Sequence, residues 1–404
     1  MAGHSEEAYI AKRKRKAFRD SLAYYLCRVF PIKRNKIVMW TFEGSRGYCC
    51  NPKYIADELL KSNAAGETDY EIVWLTEDES SEFPNGIRKV KDTLWSRAYH
   101  LSTAKVWVSN TRTFYGTRKR IGQSYIQAWH CTLFLKPIGL FRGDLFPRIA
   151  RIVSEADSDL ADYVLSGSTW YDERVPKGLL YEGEILKTGT PRCDILVTKQ
   201  ERIRQTIRNQ YDVPEQAKIL LYCPTFRGGS QSTNRSVSAE NTSLDLDKLL
   251  AAMKDKFGGE WYIFLRLHPQ LAAKNMVYGG KSWSDKFVDV TKHQDMNELI
   301  AAADCFVTDY SSAIFEAMLL KIPCFIYADD LETYIKDRGD LMFNMEELPF
   351  PMAADNEELL WNITVLDMNE YQTVLDRFIR AQGITEDGQA SRRTAKLIHR
   401  LCEK

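Results

Sequence analysis

The chain opens on a helical period and then changes it. Phe18, Leu22, Tyr25, Leu26 and Val29 recur at three- and four-residue steps. Among and around them stand Lys12, Arg13, Lys14, Arg15, Lys16, Arg19, Arg28, Lys33, Arg34 and Lys36, with Asp20 as the only acid. That spacing predicts a basic amphipathic helix. From Lys36 the pattern becomes short apolar runs separated by helical stretches. KIVMWTF (36–42), EIVWLTED (71–78), KVWVSN (105–110), YIQAWH (125–130), ADYVLSGS (161–168) and ILKTGTP (185–191) read as strands, and Asn51-Pro52 opens a helix through YIADELL. Unbroken apolar runs suit strands covered on both faces of a parallel sheet. Several of them stop in Gly, Ser or Thr, as strands do where an open parallel sheet holds a ligand.

The second half restarts the theme. ILLYCPTFR (219–227), WYIFLRLHP (261–269), FVDVT (287–291), DCFVTD (304–309) and PCFIYA (323–328) read as strands. MNELIAAA (296–303), SAIFEAMLL and a stretch from Asn369 to Cys402 read as helices. Between them GGSQSTNRSVSAENTSLD (228–245) is almost without apolar residues and reads as a mobile loop that substrate can order. The charged helix KQERIRQTIRNQY bridges the halves. The expected domains are 1–35, a basic amphipathic segment; 36–205, an N-terminal Rossmann-like acceptor domain; and 206–404, a C-terminal Rossmann-like donor domain with a closing helix. The expected fold class is α/β, specifically GT-B, with two Rossmann-like halves facing across a cleft.

Bulk properties narrow the function. A length of 404 residues fits two cores better than one, and a hydrophobic content of 44% can fill both. Fifty-five basic residues balance fifty-five acidic ones, which argues against a protein that coats nucleic acid. The nine cysteines, Cys27, Cys49, Cys50, Cys131, Cys193, Cys223, Cys305, Cys324 and Cys402, are scattered and never form CxxC, so a reducing compartment is expected. No apolar run reaches the ~18 residues of a membrane span. The expected protein is therefore soluble or lies on a membrane surface, which the basic helix and its aromatics Tyr24, Tyr25 and Phe30 fit.

The candidate chemistry sits at strand ends. Thr308-Asp309 close a strand, and Tyr310-Ser311-Ser312 turn into a helix whose start offers hydroxyls and backbone N–H groups to an anion. Glu316 follows one turn later and can accept from a sugar hydroxyl. His268 ends WYIFLRL before Pro269, with Arg266 two residues back on the same face. On this reading alone His268 either donates a hydrogen bond to a phosphate or is structural, and Arg266 either adds positive charge or pairs with a carboxylate. His130 ends YIQAWH beside Trp129. An imidazole there can take a proton from an attacking hydroxyl, a role worth ~10²–10⁴ in rate, or it can be structural. Lys136 can offset phosphate charge, and Arg192 and Arg227 can each reach a phosphate or hold the interdomain hinge. No metal-ligand cluster, P-loop, GxGxxG or GxSxG stands in the sequence, so no cofactor and no metal are expected.

Taken in order, YIQAWHCTLFLKPIG, SGS, GTPRCDIL, YCPTFR, LRLHP and DMNELIAAADCFVTDYSSAIFEAMLLKIPCFIYADDLETYIKDRGDL resemble the blocks of the CDP-glycerol glycerophosphotransferase family. These are the primases and polymerases of teichoic-acid-type and capsular polymers. The resemblance runs from about Asn110 to Leu341. It implies a GT-B fold, a CDP-glycerol or related CDP-polyol donor such as CDP-ribitol, a lipid-linked or polymeric acceptor, and no metal. It further implies that His130 is the base on the acceptor side, with Trp129 and Lys136 beside it. His268, Ser311 and Ser312 would hold the donor pyrophosphate, Glu316 the ribose or donor tail, and Arg227, Arg266, Thr308 and Asp309 would complete the donor side. Cys131 stands where the family usually has Gly, Leu133 where it has Pro, and Glu316 where it more often has Asp; Lys136 falls one residue later than the family lysine. The chain shows no counterpart of the long N-terminal domain of the larger polymerases, which fits either a single-addition primase or a short capsule polymerase. The alternatives carried are ribitol phosphate transfer and a nucleotide-sugar glycosyltransferase. A location on the inner face of the cell membrane is expected.

Overall fold

The structure, a computed structural model, describes residues 2–41, 47–77, 80–198, 200–225, 243–267 and 284–404. It forms two compact units. The first contains Met1–Thr132, Ile138–Asp194 and Thr385–Lys404; the second contains Leu133–Pro137 and Ile195–Ile384.

In the first unit seven strands form one parallel sheet. They are β1 (Lys33–Trp40), β2 (Glu71–Thr76), β3 (Ile87–Lys91), β4 (Ala104–Ser109), β5 (Ser124–Gln127), β6 (Tyr163–Leu165) and β7 (Glu184–Leu186), in the order β3-β2-β1-β4-β5-β6-β7. The chain builds outward from β1 to β3, then returns to lay β4 on the other side of β1. That reversal is the topological switch point of a Rossmann-type sheet, and ligands sit at the carboxyl ends of its strands. Ile37, Val38, Met39, Val73, Trp74, Val106, Trp107 and Val108 are all buried, as continuous apolar runs require. No apolar run marks β3 in the sequence. Its IRKVK carries too many charges to register as a buried strand, and the sheet tolerates them because β3 is an edge.

The second unit repeats the design with β8 (Lys218–Cys223), β9 (Trp261–Leu265), β10 (Phe287–Asp289), β11 (Cys305–Thr308), β12 (Cys324–Tyr327) and β13 (Met352–Ala353), again all parallel, in the order β10-β9-β8-β11-β12-β13. Its switch point lies between β8 and β11. Two Rossmann-type units in one chain are the GT-B fold class.

Helix α1 (Ala2–Cys27) corrects two expectations about the basic segment. Its buried face is not the one the apolar spacing marked. Ile10, Ala17, Ala23, Tyr24 and Cys27 are buried, whereas Phe18, Leu22, Tyr25 and Leu26 remain exposed, as do Val29 and Phe30 just beyond it. Ala23, Tyr24 and Cys27 join a core cluster with Val38, Val73, Leu101 and Trp107. Small residues let α1 lie close to its unit, and at Gly116 the approach is so near that an added Cβ would stand 2.5 Å from the Ala17 carbonyl oxygen. Tyr24 is therefore a core residue, its hydroxyl 3.2 Å from that of Thr117, and not a surface aromatic. Lys36 likewise leaves the basic surface. It is fully buried in β1, donates to the Thr103 hydroxyl at 2.7 Å and lies over the Tyr99 ring, and burial lowers its pKa to about 8.

The C-terminal stretch expected as one helix is two, Met368–Ala381 and Ala390–Glu403, separated by a segment with Gly383 and Gly388 at positive φ. The chain leaves the second unit there, so the closing helix belongs to the first, where Ala395, Ile398, Leu401 and Cys402 pack against Ile37, Met39 and Val106. Apart from the short excursion Leu133–Pro137, the chain passes to the second unit at Asp194–Ile195 rather than near 205.

Glu386 fastens the returning segment. Its carboxylate accepts from the Thr190 N–H at 2.9 Å and from the Thr132 hydroxyl at 3.3 Å, and the neighbouring Thr385 N–H donates to the Gly167 carbonyl. The carboxylate comes so close to Gly167 that a Cβ there would sit 2.1 Å from its Oε1, which explains the glycine in SGS. Burial raises the Glu386 pKa to about 7, against the pull of the Thr190 N–H bonds. An acid whose folded pKa is raised holds its proton more tightly folded than unfolded. Stability is then lost as pH climbs from about 4.5 through about 7, by on the order of 3 kcal/mol in all. Glu386→Gln is expected to remove that dependence, so that its melting temperature relative to the native protein rises between pH 5 and pH 8. An unchanged difference across that range would show that Glu386 titrates normally.

Candidate active site

In the first unit the site is built where β4 and β5 end beside the switch point. Asn110 to Arg112 follow β4, and Ala128 to His130 follow β5. His130 is part-buried, with Nδ1 3.0 Å from the Asn110 carbonyl oxygen. A carbonyl only accepts, so Nδ1 carries the hydrogen in the neutral ring and Nε2 is the basic atom. Trp129 adopts φ +44°, a left-handed conformation that is costly for a bulky residue, and its ring stacks on His130 at 4.5 Å. The strand expected to run through His130 stops at Gln127 because of this turn. Gln127 then uses its own side chain to accept the Trp129 N–H at 3.0 Å.

The SGS and GTPR blocks close the same strand-end layer. The Ser168 hydroxyl donates to the Thr132 carbonyl at 3.1 Å and caps the next helix by accepting from the Tyr171 N–H. The Arg192 N–H donates to Asn51 Oδ1 at 2.9 Å. Asn51 and Glu386 are the residues that the sequence reading missed here. Asn51 was visible only as a helix opener before Pro52, and Glu386 lies far away in a segment that read as continuous helix.

In the second unit the switch point is held by Asp309. It accepts from the Thr225 N–H at 2.9 Å, the Thr225 hydroxyl at 3.0 Å and the Tyr310 N–H at 2.6 Å. Thr308 is buried, its hydroxyl donating to the Cys223 carbonyl at 2.6 Å. Both therefore shape the edge where β8 and β11 end. The helix expected after Ser311-Ser312 is only one α-helical turn, Ile314–Ala317, followed by a 3₁₀ turn to Leu320. Ala313 precedes it without a side-chain cap, so the expected macrodipole and capping serine are not features of this turn. The serines serve elsewhere. Ser311 Oγ accepts from the Ala313 N–H at 3.3 Å, and Ser312 Oγ accepts from the Leu135 N–H at 3.0 Å. Glu316 is buried in that turn.

Leu135 brings a correction with it. The segment Leu133–Pro137, read as acceptor side, is part of the second unit, tied by the Ser312 bond and by the Met342 N–H donating to the Leu135 carbonyl at 2.9 Å. Lys136 accordingly stands with its ammonium 5.8 Å from the centre of the Tyr334 ring. Tyr334 stacks on Tyr310 at 3.8 Å, and the Tyr310 hydroxyl donates to Asp330 at 2.9 Å. Lys136 thus belongs to the second unit, where its ammonium faces the stacked rings of Tyr334 and Tyr310. Arg266 is engaged by backbone carbonyls of its own unit. It is buried, and its Nη1 donates to the carbonyls of Val290 and His293, so it secures the turn after β10. Arg227, His268 and most of the loop 228–245 lie outside the described residues. Among the described residues no three His, Cys, Asp or Glu side chains converge as a metal site.

Comparison with known proteins fits this arrangement. The chain is 29% identical over 381 residues to the teichoic acid poly(glycerol phosphate) polymerase of Staphylococcus epidermidis, covering 91% of this chain and 51% of that protein. It is 28% identical over 380 residues to the teichoic acid glycerol-phosphate transferase of Staphylococcus aureus, covering 90% and 93%. The chain spans about half the length of the larger polymerases it matches. Among solved structures, the wall teichoic acid polymerase TagF superposes with a TM-score of 0.80 at 26% identity, covering 100% of this chain and 98% of that one. The sequence profile of the CDP-Glycerol:Poly(glycerophosphate) glycerophosphotransferase family matches residues 22–400, and the chain belongs to that family.

Proposed function

We propose that this chain transfers glycerol phosphate from CDP-glycerol to a hydroxyl of a lipid-linked or polymeric acceptor and releases CMP, in the synthesis of a teichoic-acid-like or capsular polymer. The observation that carries the reading is His130: an imidazole beside a sheet switch point whose Nδ1 donates to a backbone carbonyl, which makes Nε2 the basic nitrogen of the neutral ring. TagF has been solved with CDPG, which supports the donor class. The acceptor oxygen attacks the β-phosphorus in line. The new bond is acceptor O–P, the bond broken joins that phosphorus to the oxygen that leaves on CMP, and the acceptor proton passes to His130 Nε2. Charge spreads over the phosphoryl oxygens, so positioning and cationic or hydrogen-bonding groups supply most of the acceleration. Lys136, with Ser311 and Ser312 nearby in the second unit, is the described cation suited to that task; Arg227 and His268 are assigned to it by the family resemblance.

The exposed apolar and basic side chains of α1 support docking at an anionic bilayer surface, on the inner face of the cell membrane. Phe18, Leu22, Tyr25 and Leu26 are exposed together with Lys12, Lys14, Arg15, Lys16 and Arg19. Apolar burial and charge attraction add there, each basic residue supplying about 1 kcal/mol. No described helix is long and apolar enough to cross a membrane.

His130→Ala is expected to lower turnover by at least ~10² while leaving the calorimetric affinity for CDP-glycerol unchanged. Transfer retained in that variant would remove His130 from the base role. Replacing both Phe18 and Leu26 by Ser is expected to release the protein from sedimenting vesicles that contain phosphatidylglycerol, without changing its melting temperature by more than ~2 °C, since both side chains already face solvent. Undiminished sedimentation would place the membrane contact elsewhere.

A further inference from the structure

His130 is only as well placed as the backbone turn beneath it, and that turn is held from two sides. Asn51 is fully buried at the start of helix α2 (Cys50–Ala64), next to Cys50, which itself has φ +58°. Its amide nitrogen donates to the Ala128 carbonyl and to the Trp129 carbonyl, both at 2.9 Å. Its Oδ1 accepts the Arg192 N–H at 2.9 Å. One side chain thus uses both donors and its acceptor to lock the turn before His130 to the GTPR turn. The Trp129 carbonyl belongs to the peptide that leads into His130, so its orientation sets where the His130 Cα lies. On the ring side, the Arg112 guanidinium carbon lies 5.0 Å from the centre of the Trp129 ring, whose stacking partner is His130. A cation over an indole is worth about 0.5–2 kcal/mol, more as it loses water, and Arg112 is half-buried beside Asp157.

We infer that Asn51 and Arg112 are positioning residues for the reaction proposed above, acting on His130 through the strained backbone and the ring of Trp129. The left-handed conformation of Trp129 costs about 1–3 kcal/mol and persists only where the surroundings over-determine it. Asn51 supplies two hydrogen bonds toward that end, Gln127 a third, and Arg112 the stack. Releasing either hold lets the imidazole drift, and a misplacement near 1 Å can cost ~10² in rate. Neither side chain needs to touch the donor.

The test compares Asn51→Ser and Arg112→Met, alone and combined with His130→Ala, in CMP release from CDP-glycerol. Each single variant is expected to lower kcat at least ~10-fold with KM for CDP-glycerol within ~2-fold, and neither is expected to lower the residual rate of His130→Ala further. An unchanged kcat in Arg112→Met, or losses that multiply with that of His130→Ala, would overturn the inference. Arg112→Met keeps the aliphatic stem at a half-buried position, so it decides the matter if Asn51→Ser does not fold. The reaction and the clamp are separated by a second measurement. With ¹³C-labelled histidine, six imidazoles are observable, and only that of His130 should move in the two variants. No turnover by the native enzyme would count against the proposed reaction, and the clamp would then stand or fall on whether the His130 signal moves.

Discussion

The first unit depends on one backbone conformation that the chain does not adopt cheaply. Trp129 turns left-handed at the end of β5, and this ends the strand and swings His130 back to the Asn110 carbonyl after β4. A bulky side chain at φ +44° costs about as much as two or three ordinary buried hydrogen bonds contribute. The turn is met by that number of bonds, two from Asn51 and one from Gln127. The strain and its restraints nearly cancel, and what remains is geometry: an imidazole at the carboxyl edge of a parallel sheet with its tautomer fixed.

The second unit solves a related problem differently. Its switch point is closed by Asp309, whose carboxylate gathers the Thr225 and Tyr310 donors, and by Thr308, which spans to the Cys223 carbonyl. With only one α-helical turn after Ser311-Ser312, the helix dipole is a minor source of positive potential there. Side-chain charge has to do more. Lys136 is delivered to this unit by five residues that leave the first unit directly after Thr132, so two adjacent stretches of one sequence block serve two units. The proposed base and a proposed phosphate cation are thereby covalently linked through a few residues while each belongs to its own unit.

Much of this was legible in the sequence because parallel strands buried on both faces write themselves as apolar runs. β1, β2, β4, β8, β9, β11 and β12 were each marked that way, and the Gly, Ser and Thr after β6 and β7 marked the carboxyl edge of the first sheet. What escaped had physical reasons. β3 is an edge strand with charges, and β13 is two residues long. The buried face of α1 is made largely of small residues, Ala17, Ser21, Ala23 and Cys27, with Ile10 and Tyr24, so most of the large apolar residues pointed to its solvent side instead. Asn51 and Glu386 act through single side-chain bonds to strand ends distant in sequence, and no local period reports such bonds. Lys136 could not be assigned to a unit because sequence adjacency to His130 says nothing about a chain that crosses between cores.

In the proposed transfer the bond broken joins the bridging oxygen of the pyrophosphate to the phosphorus of the glycerol phosphate, so that phosphorus and not carbon is attacked. The most direct measurement is mass spectrometry of both products when native protein is given CDP-glycerol and a lipid-linked acceptor. One CMP is expected for each glycerol phosphate added to the acceptor. Release of CDP with a glycerol unit lacking phosphate, or turnover only with a nucleotide-sugar donor, would contradict it.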